Sequence, residues 1–317
     1  MSLPTNFFIG RGGGALEGAF LEFALIAGGG GGGDGNAPGG GGGAGGFVSG
    51  SGTFPYSTQF RLQLGAGGQG TQSQDQSGSP GFQTRLYDHY SGGSGCDIRA
   101  YGGGRGGSYA TPADSANSST QRGSGGGGSG PTDHWYNTNT GGVAGLCGIV
   151  EQSSLIPDIS TSFYGGDGGN YGPASRGGGG GGAGGNGSNP DGGASRNPRG
   201  QTSNNNLWTY TLSWGRGGFG SPQPGASGTG STQGYNHLGN GGQGSGDIPG
   251  NWEQNGSIGG AIINFPAGVT VNITGSNGNM STANASVNGG TSYIFYDARY
   301  YRTGGGTSGY FDITITE

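Results

Sequence analysis

The 317-residue sequence contains no lysine; all twelve of its basic residues are arginine. That absence removes the phosphate-loop lysine, Schiff-base chemistry and every lysine general base at once. Charge of either sign is scarce, at 9% of residues, and 17 acidic groups against 12 arginines leave a net charge of -5. A chain with this balance repels phosphate backbones, so no nucleic-acid partner is expected, although Arg-Gly-Gly, a feature of RNA-binding segments, occurs at Arg11, Arg105, Arg176 and Arg216. Two cysteines, Cys96 and Cys147, are too few for a disulfide framework. Each sits beside glycine in a strand-like run and reads as a small buried residue, with a pairing between them left open.

Long apolar runs are missing as well. The best, Leu21 to Ala27, contains Glu22 and is far too short to cross a bilayer, so no membrane insertion is expected. Met1 to Gly10 lacks the basic region of a secretory signal, which implies a protein made in the cytoplasm without an export tag. With no lysine and little glutamate, the chain is poor in strong helix formers, and no significant α-helix is expected. Leu, Ile, Val and Phe together number only 45. That share suits disorder in a highly charged chain, but the low net charge and the 15 Tyr, 13 Phe and 4 Trp favour an ordered one.

What fills the chain instead is glycine, 88 residues of it. The organising stretch is Ala27 to Gly46: six glycines, Gly28 to Gly33, a break at Asp34-Gly35-Asn36-Ala37-Pro38, then glycines interrupted only by Ala44. Glycine loses the most backbone freedom on folding and buries no side chain, so no helix or ordinary sheet selects such a run. Its physical use is close approach. In a threefold polyproline II-type helix the backbone N–H and C=O groups point outward, and several such helices can bond to one another if nothing protrudes between them. A helix surrounded on all sides must be nearly all glycine, whereas an outer one can carry side chains on its free face. Six residues span roughly 19 Å, a plausible slab thickness.

Further glycine-dense runs lie at 65–70, 102–107, 123–130, 165–169, 177–187, 215–220 and 239–246. Three are framed by aromatics, Tyr101 to Tyr109, Tyr164 to Tyr171 and Trp214 to Phe219, which suggests rings covering the open ends of a bundle. Alternation predicts strands at 19–27, 47–54 and 60–64. From Ile258 the composition shifts to β-branched and aromatic residues, with strands predicted at 261–265, 269–274, 291–301 and 310–316. The expected fold is therefore all-β/irregular: β-strands plus a packed bundle of polyglycine II-type helices. Residues 1–257 form the glycine-rich sandwich with aromatic loops, and 258–317 a small β-rich layer that could pair with the strand at 19–27.

Motifs for catalysis are weak. G-x-G-x-x-G recurs, as chance dictates at this glycine content, and none opens a helix after a strand. No G-x-S-x-G elbow occurs, and His89, His134 and His237 show no zinc spacing. No enzyme, cofactor or metal is expected. The segments between glycine runs are more informative, because they set Tyr87, His89, Tyr90, His134, Trp135, Tyr136, Trp208, Tyr210, Tyr235, His237 and Trp252 among small polar residues. Rigid amphipathic rings flanked by Ser, Gly and Asn are the chemistry of recognition loops; the same rings would equally roof a glycine slab or meet a neighbouring subunit.

The strand Phe23-Ala-Leu-Ile-Ala entering polyglycine, then Gly-Gly-Gly-Ala-Gly-Gly-Phe47, Leu62-Gln-Leu-Gly-Ala-Gly-Gly68 and the late Gly-Gly-Ala-Ile-Ile-Asn-Phe-Pro266, resembles the glycine-rich tail fibre proteins and receptor-binding adhesins of tailed bacteriophages. The likeness covers most of residues 18–266. It implies a polyglycine II sandwich displaying variable loops at one end to a host cell-surface receptor, a place on the virion tail among other tail proteins, and a homo-oligomer, with a trimer as the expected state. Here the glycine-rich part begins near residue 12 with no long shaft before it, which leaves 258–317 to attach the protein or help it oligomerise. A non-adhesive virion component, such as a capsid decoration or tail ornament, is the alternative.

Overall fold

A computed structural model describes residues 17–34, 38–71, 76–90, 92–108, 113, 123–129, 141–152, 154–170, 177–188, 190–195, 212–221, 237–244, 255–287, 289–299 and 307–317. Among these residues the chain is all-β, with two antiparallel six-stranded sheets and no α-helix. One sheet runs β10 (Met280–Val287), β11 (Gly290–Asp297), β8 (Gly260–Phe265), β1 (Gly18–Ile26), β2 (Phe47–Pro55) and β7 (Ser160–Tyr164). The other runs β6 (Gly148–Gln152), β5 (Asp97–Ala100), β4 (Thr84–Asp88), β3 (Gln59–Gly65), β12 (Thr307–Thr316) and β9 (Thr270–Gly275). The strand expected at 19–27 is β1, held between β2 and β8, with Phe23 opposite Gly50 on one side and Ile263 on the other. Strands from the last sixty residues enter both sheets: β8, β10 and β11 join the first, β9 and β12 the second.

Period-2 alternation builds the core. Leu21, Phe23 and Leu25 of β1 meet Phe60, Leu62 and Leu64 of β3 and Phe311, Ile313 and Ile315 of β12, all at most 2% exposed. Edge-to-face ring pairs join the sheets, Phe54 to Phe60 at 5.1 Å and Phe295 to Phe311 at 5.0 Å between centroids. Each fully buried ring or Leu contributes about 1.5–3 kcal/mol. The opposite face of β1 is also covered: Ala24 and Ile26 pack with Phe47, Leu212, Trp214, Leu238, Ile258 and Ile262. Trp214, at the head of an aromatic-framed glycine run, therefore lies under the first sheet instead of at an open bundle end. Tyr101 and Tyr164 likewise stand where their glycine runs leave the strands.

Among the described residues the long glycine excursions depart from one end of this sandwich. The bare segments form the mutual lattice their composition predicts, and the bonding identifies it. Gly28, Gly31 and Asp34 donate their N–H groups to Phe82, Ser79 and Gln76, while Gly103 and Gly106 donate to the carbonyls of Gly28 and Gly31. Each step of three along one segment is a step of three along its neighbour, as a threefold helix requires. Segment 38–46 shows the full pattern. Its N–H groups reach Tyr101, Gly104 and Gly107; Gly178 and Gly181; and Gly239 and Gly242, at 2.7–3.0 Å. Its carbonyls accept from Ala27, Gly30 and Gly33; Ser124 and Gly127; and Gly218 and Ser221. Six neighbours surround one helix, and no peptide group from Gly40 to Gly43 is left without a partner.

These bonds arrange the segments in three rows. The middle row is 66–71, 28–34, 38–46, 177–183 and 186–188; one outer row is 76–82, 102–108, 123–129 and 165–170; the other is 255–259, 239–244, 215–221 and 191–195. Segment 141–147 lies in the groove over 123–129 and 165–170. The three six-neighboured helices, 28–34, 38–46 and 177–183, hold the densest glycine, because a Cβ on Gly28 to Gly33, Gly40 to Gly43 or Gly177 to Gly182 would strike a facing carbonyl, and only Ala44 interrupts the second tract. Outer segments carry side chains every third residue on their free side, as in Val143 and Leu146, Asp167 and Asn170, and Arg216 and Phe219. A single chain supplies every helix of the middle row.

Candidate functional site

The slab gives the molecule two unlike ends. At the sandwich end short turns join the strands, at 56–58, 89–96 and 266–269. At the slab's outer end six outward segments stop at Asp34, Thr71, Ser108, Ser129, Ser221 and Gln243 or the residue after, all buried at no more than 4% exposure, while the segment 165–170 ends on exposed Asn170. The lattice ties these stems together: Asp34 donates to Gln76, Gly177 to Ser221, Ser221 to Gly39, and Gly70 to the Asn255 side chain at 2.8 Å. A polar residue closing each run matches the place where the lattice ends and carbonyls and amides must find other partners. Among the described residues the buried Ser129 hydroxyl and both amide atoms of Gln243 find no hydrogen-bond partner there, which marks a polar floor that water or an overlying group completes.

Four of the eleven aromatic and histidine candidates lie among the described residues, and they do not form one cluster. Tyr87, expected in a loop, is in β4, because Thr84 to Asp88 alternates and pairs with β3 and β5. The Arg85 guanidinium lies over its ring at 4.0 Å while bonding Asp97 and the Gly92 carbonyl. His89 follows in the turn, 3.4 Å from Arg61, with its ring 5.6 Å from that of Tyr90. Tyr90 is 82% exposed. All three belong to the end of the sandwich opposite the slab.

Charge on the outer face of the second sheet is internally balanced. Arg61 bonds Asp312 and stacks on Tyr310 at 3.7 Å, and Arg85 and Arg99 both clamp Asp97, with Arg99 reaching Glu151. Burial works to raise the Asp97 pKa, but the two arginines outweigh it and hold the carboxyl below its usual range. Guanidinium's planar fork suits this role better than an ammonium.

The fourth candidate, His237, lies half-buried near the sandwich end of the slab. It lines a cleft of about 370 Å³ with Gly192, Ala194, Ser195, Ser213 and Arg216. Burial, reinforced by the Arg216 charge, keeps the imidazole pKa below its ordinary value, so it is neutral at pH 7. Sequence reading missed Ser213 and Arg216. For Arg216 the signal that finds it is spacing: Arg216 and Phe219, three apart on the outer segment 215–221, share its free side, with the Arg216 guanidinium 4.5 Å over the Phe219 ring.

The remaining candidates fall outside the described residues, but their stems do not. His134, Trp135 and Tyr136 connect Ser129 to Gly141, and Trp252 connects Gly244 to Asn255; all four stems are at the slab's outer end. Trp208 and Tyr210 fall between Ser195 and Leu212, both at the sandwich side, and Tyr235 falls between Ser221 at the outer end and His237 near the sandwich. Cys96 and Cys147 are free and buried, with burial pushing both thiols up to about 12. No curated protein matches the chain. A family model described as a glycine-rich domain matches residues 14–266, from just before β1 to just after β8. The chain belongs to that glycine-rich domain family.

Proposed function

We propose that this protein is a receptor-binding component of a tailed bacteriophage virion, a tail fibre or fibre-tip adhesin. In this reading it binds a protein or glycan of the host surface, has no enzymatic role and works as a homo-oligomer among other tail proteins. The observation that supports it is the two-ended architecture: a backbone-bonded glycine lattice holds the stems on either side of 130–140 and 245–254 at the same end of the slab, the two connections whose sequences contain His134, Trp135, Tyr136 and Trp252. A recognition surface gains affinity when its loops are held in place before the partner arrives, because less ordering entropy is lost on binding. The resemblance to phage adhesins set out above supplies the biological setting.

The test is adsorption of virions assembled with variant protein. Trp135→Ala combined with Trp252→Ala should abolish attachment to host cells while leaving particles intact, and Tyr90→Ala, at the opposite end, should leave attachment near wild type. Normal adsorption by the double variant would overturn the assignment, as would density for the chain on the capsid shell in a cryo-EM map of the particle.

A further inference from the structure

The homo-oligomer in that reading still needs a surface, and one side of the sandwich differs from every other. No charged residue and no histidine occurs between Glu253 and Asp297, a span that contains β8, β9, β10 and all of β11 except its last residue, Asp297. Two of these, β10 and β9, are the terminal strands of the two sheets on the same side, joined by residues 276–279. A free edge presents unpaired N–H and C=O groups, and monomeric proteins blunt it with charges, proline, bulges or a covering segment. On the opposite side the two terminal strands β6 and β7 lie against each other, with Phe163 and Val48 packed at Gly148, and β6 carries the charge of Glu151, held by Arg99. Along β10 there is no charge, no proline and no glycine, and Thr282, Asn284 and Ser286 are exposed in regular alternation.

We infer that the β10 edge pairs antiparallel with β10 of a second copy of this chain, on a twofold axis at Asn284. The strand itself indicates the occupant. Residues 282–286 read Thr-Ala-Asn-Ala-Ser, and the same five read backwards give Ser-Ala-Asn-Ala-Thr. A twofold at Asn284 therefore sets Thr282 opposite the second copy's Ser286, Ala283 opposite its Ala285, and Asn284 opposite itself. Hydroxyl faces hydroxyl, methyl faces methyl and amide faces amide, with no like charges opposed. An isologous contact requires this self-complementarity, whereas a strand from an unrelated protein does not. Cross-strand Thr–Ser pairs stabilise such a ladder, and its backbone bonds extend the first sheet across the axis. The geometry also fixes orientation: antiparallel pairing points the two glycine slabs in opposite directions.

Sedimentation velocity of the purified full-length chain tests this without any virion, so its outcome is independent of the adsorption experiment. The wild type should sediment at twice 31.0 kDa, and Thr282→Lys with Ser286→Lys, both at exposed positions, should give a monomer with unchanged circular dichroism. Ser160→Lys on exposed β7 should remain dimeric. Should the lysine variant fold poorly, Asn284→Cys gives a second route: across a twofold the two substituted side chains stand about 4.5–5.5 Å apart at Cβ, and mild oxidation should yield a covalent dimer, whereas Thr274→Cys should not. A wild-type monomer at about 100 µM, a trimer, or a dimer that survives the double lysine substitution would each overturn the inference.

Discussion

Replacing Gly42 by alanine tests the lattice at its most enclosed point. Gly42 lies in the middle helix of the middle row, where its N–H donates to Gly242 at 2.7 Å and its carbonyl accepts from Gly218 at 2.9 Å. A Cβ there would stand 2.6 Å from the Gly30 carbonyl carbon and closer still to its oxygen. Ordinary contact begins near 3.4 Å, so segments 28–34 and 38–46 must separate by most of an ångström or more. The Gly30-to-Gly43 and Gly33-to-Gly40 bonds, at 2.8 and 2.9 Å, span that gap. Stretching them strands buried donors and acceptors at about 1–3 kcal/mol each, and neither segment can retreat, since each has neighbours on its far side. Two such bonds give a loss of roughly 4–12 kcal/mol over their four groups, a large part of the 5–15 kcal/mol by which native proteins are stable. At about 2–4 °C per kcal/mol for a large domain, thermal unfolding followed by circular dichroism should shift down by about 8 °C or more, or the protein should fail to fold. Gly185→Ala is the matched control, because nothing lies within 4 Å of the added carbon; its midpoint should stay near wild type. If Gly42→Ala unfolds within a degree or two of wild type, close backbone packing does not hold the slab together.

Two further outcomes follow from the buried titratable groups. Cys96 and Cys147, with thiols pushed up to about 12 by burial, should not react with an aromatic disulfide reagent at pH 8 in the native protein, and both should react in denaturant; one rapid native equivalent would refute the burial. His237 has a folded pKa below its unfolded value, so below about pH 6.5 the unfolded chain takes up the proton more readily. Its contribution to stability is therefore complete above that pH and is lost as pH falls toward the folded pKa. His237→Gln should flatten the fall in melting temperature between pH 7.5 and 5, and an unchanged slope would exclude His237 as its source.

Much of the fold could be read from the residues, and the exceptions have physical reasons. Strands with large apolar residues in alternation, such as Leu21-Glu-Phe23-Ala-Leu25 and Phe60-Arg-Leu62-Gln-Leu64, announce themselves because one face enters the core. β10 does not, since its inward side chains are Ala283 and Ala285 and it reads as a polar Asn/Ser stretch. The bare lattice was legible in kind, because unbroken glycine fits only a helix enclosed by others. Its pairings were not, because identical glycines carry no register; the partners of Gly41, namely Gly178 and Gly127, are distinguished only by the fold. Trp214 illustrates a third limit: ring-framed glycine runs suggested end caps, yet whether a ring roofs a slab or sits beneath a sheet depends on which end of the run meets the strands. In the candidate site the ring types were legible, but their grouping was not, since Tyr90 and the stems of Trp135 belong to opposite ends.

The threefold step of the glycine helices also sets a rule for how such a chain can change length. Adding three residues to an outward run, with three to the run beside it, lengthens both by about 9 Å and returns every amide to the same facing partner. Adding one or two turns the free side of an outer helix by a third or two thirds of a revolution, swinging Val143 or Asp167 into a neighbour's backbone. Natural variants of this protein should therefore differ by triplets inside the slab, while the connections at its outer rim tolerate any number, which leaves the surface most exposed to other molecules the freest to diversify.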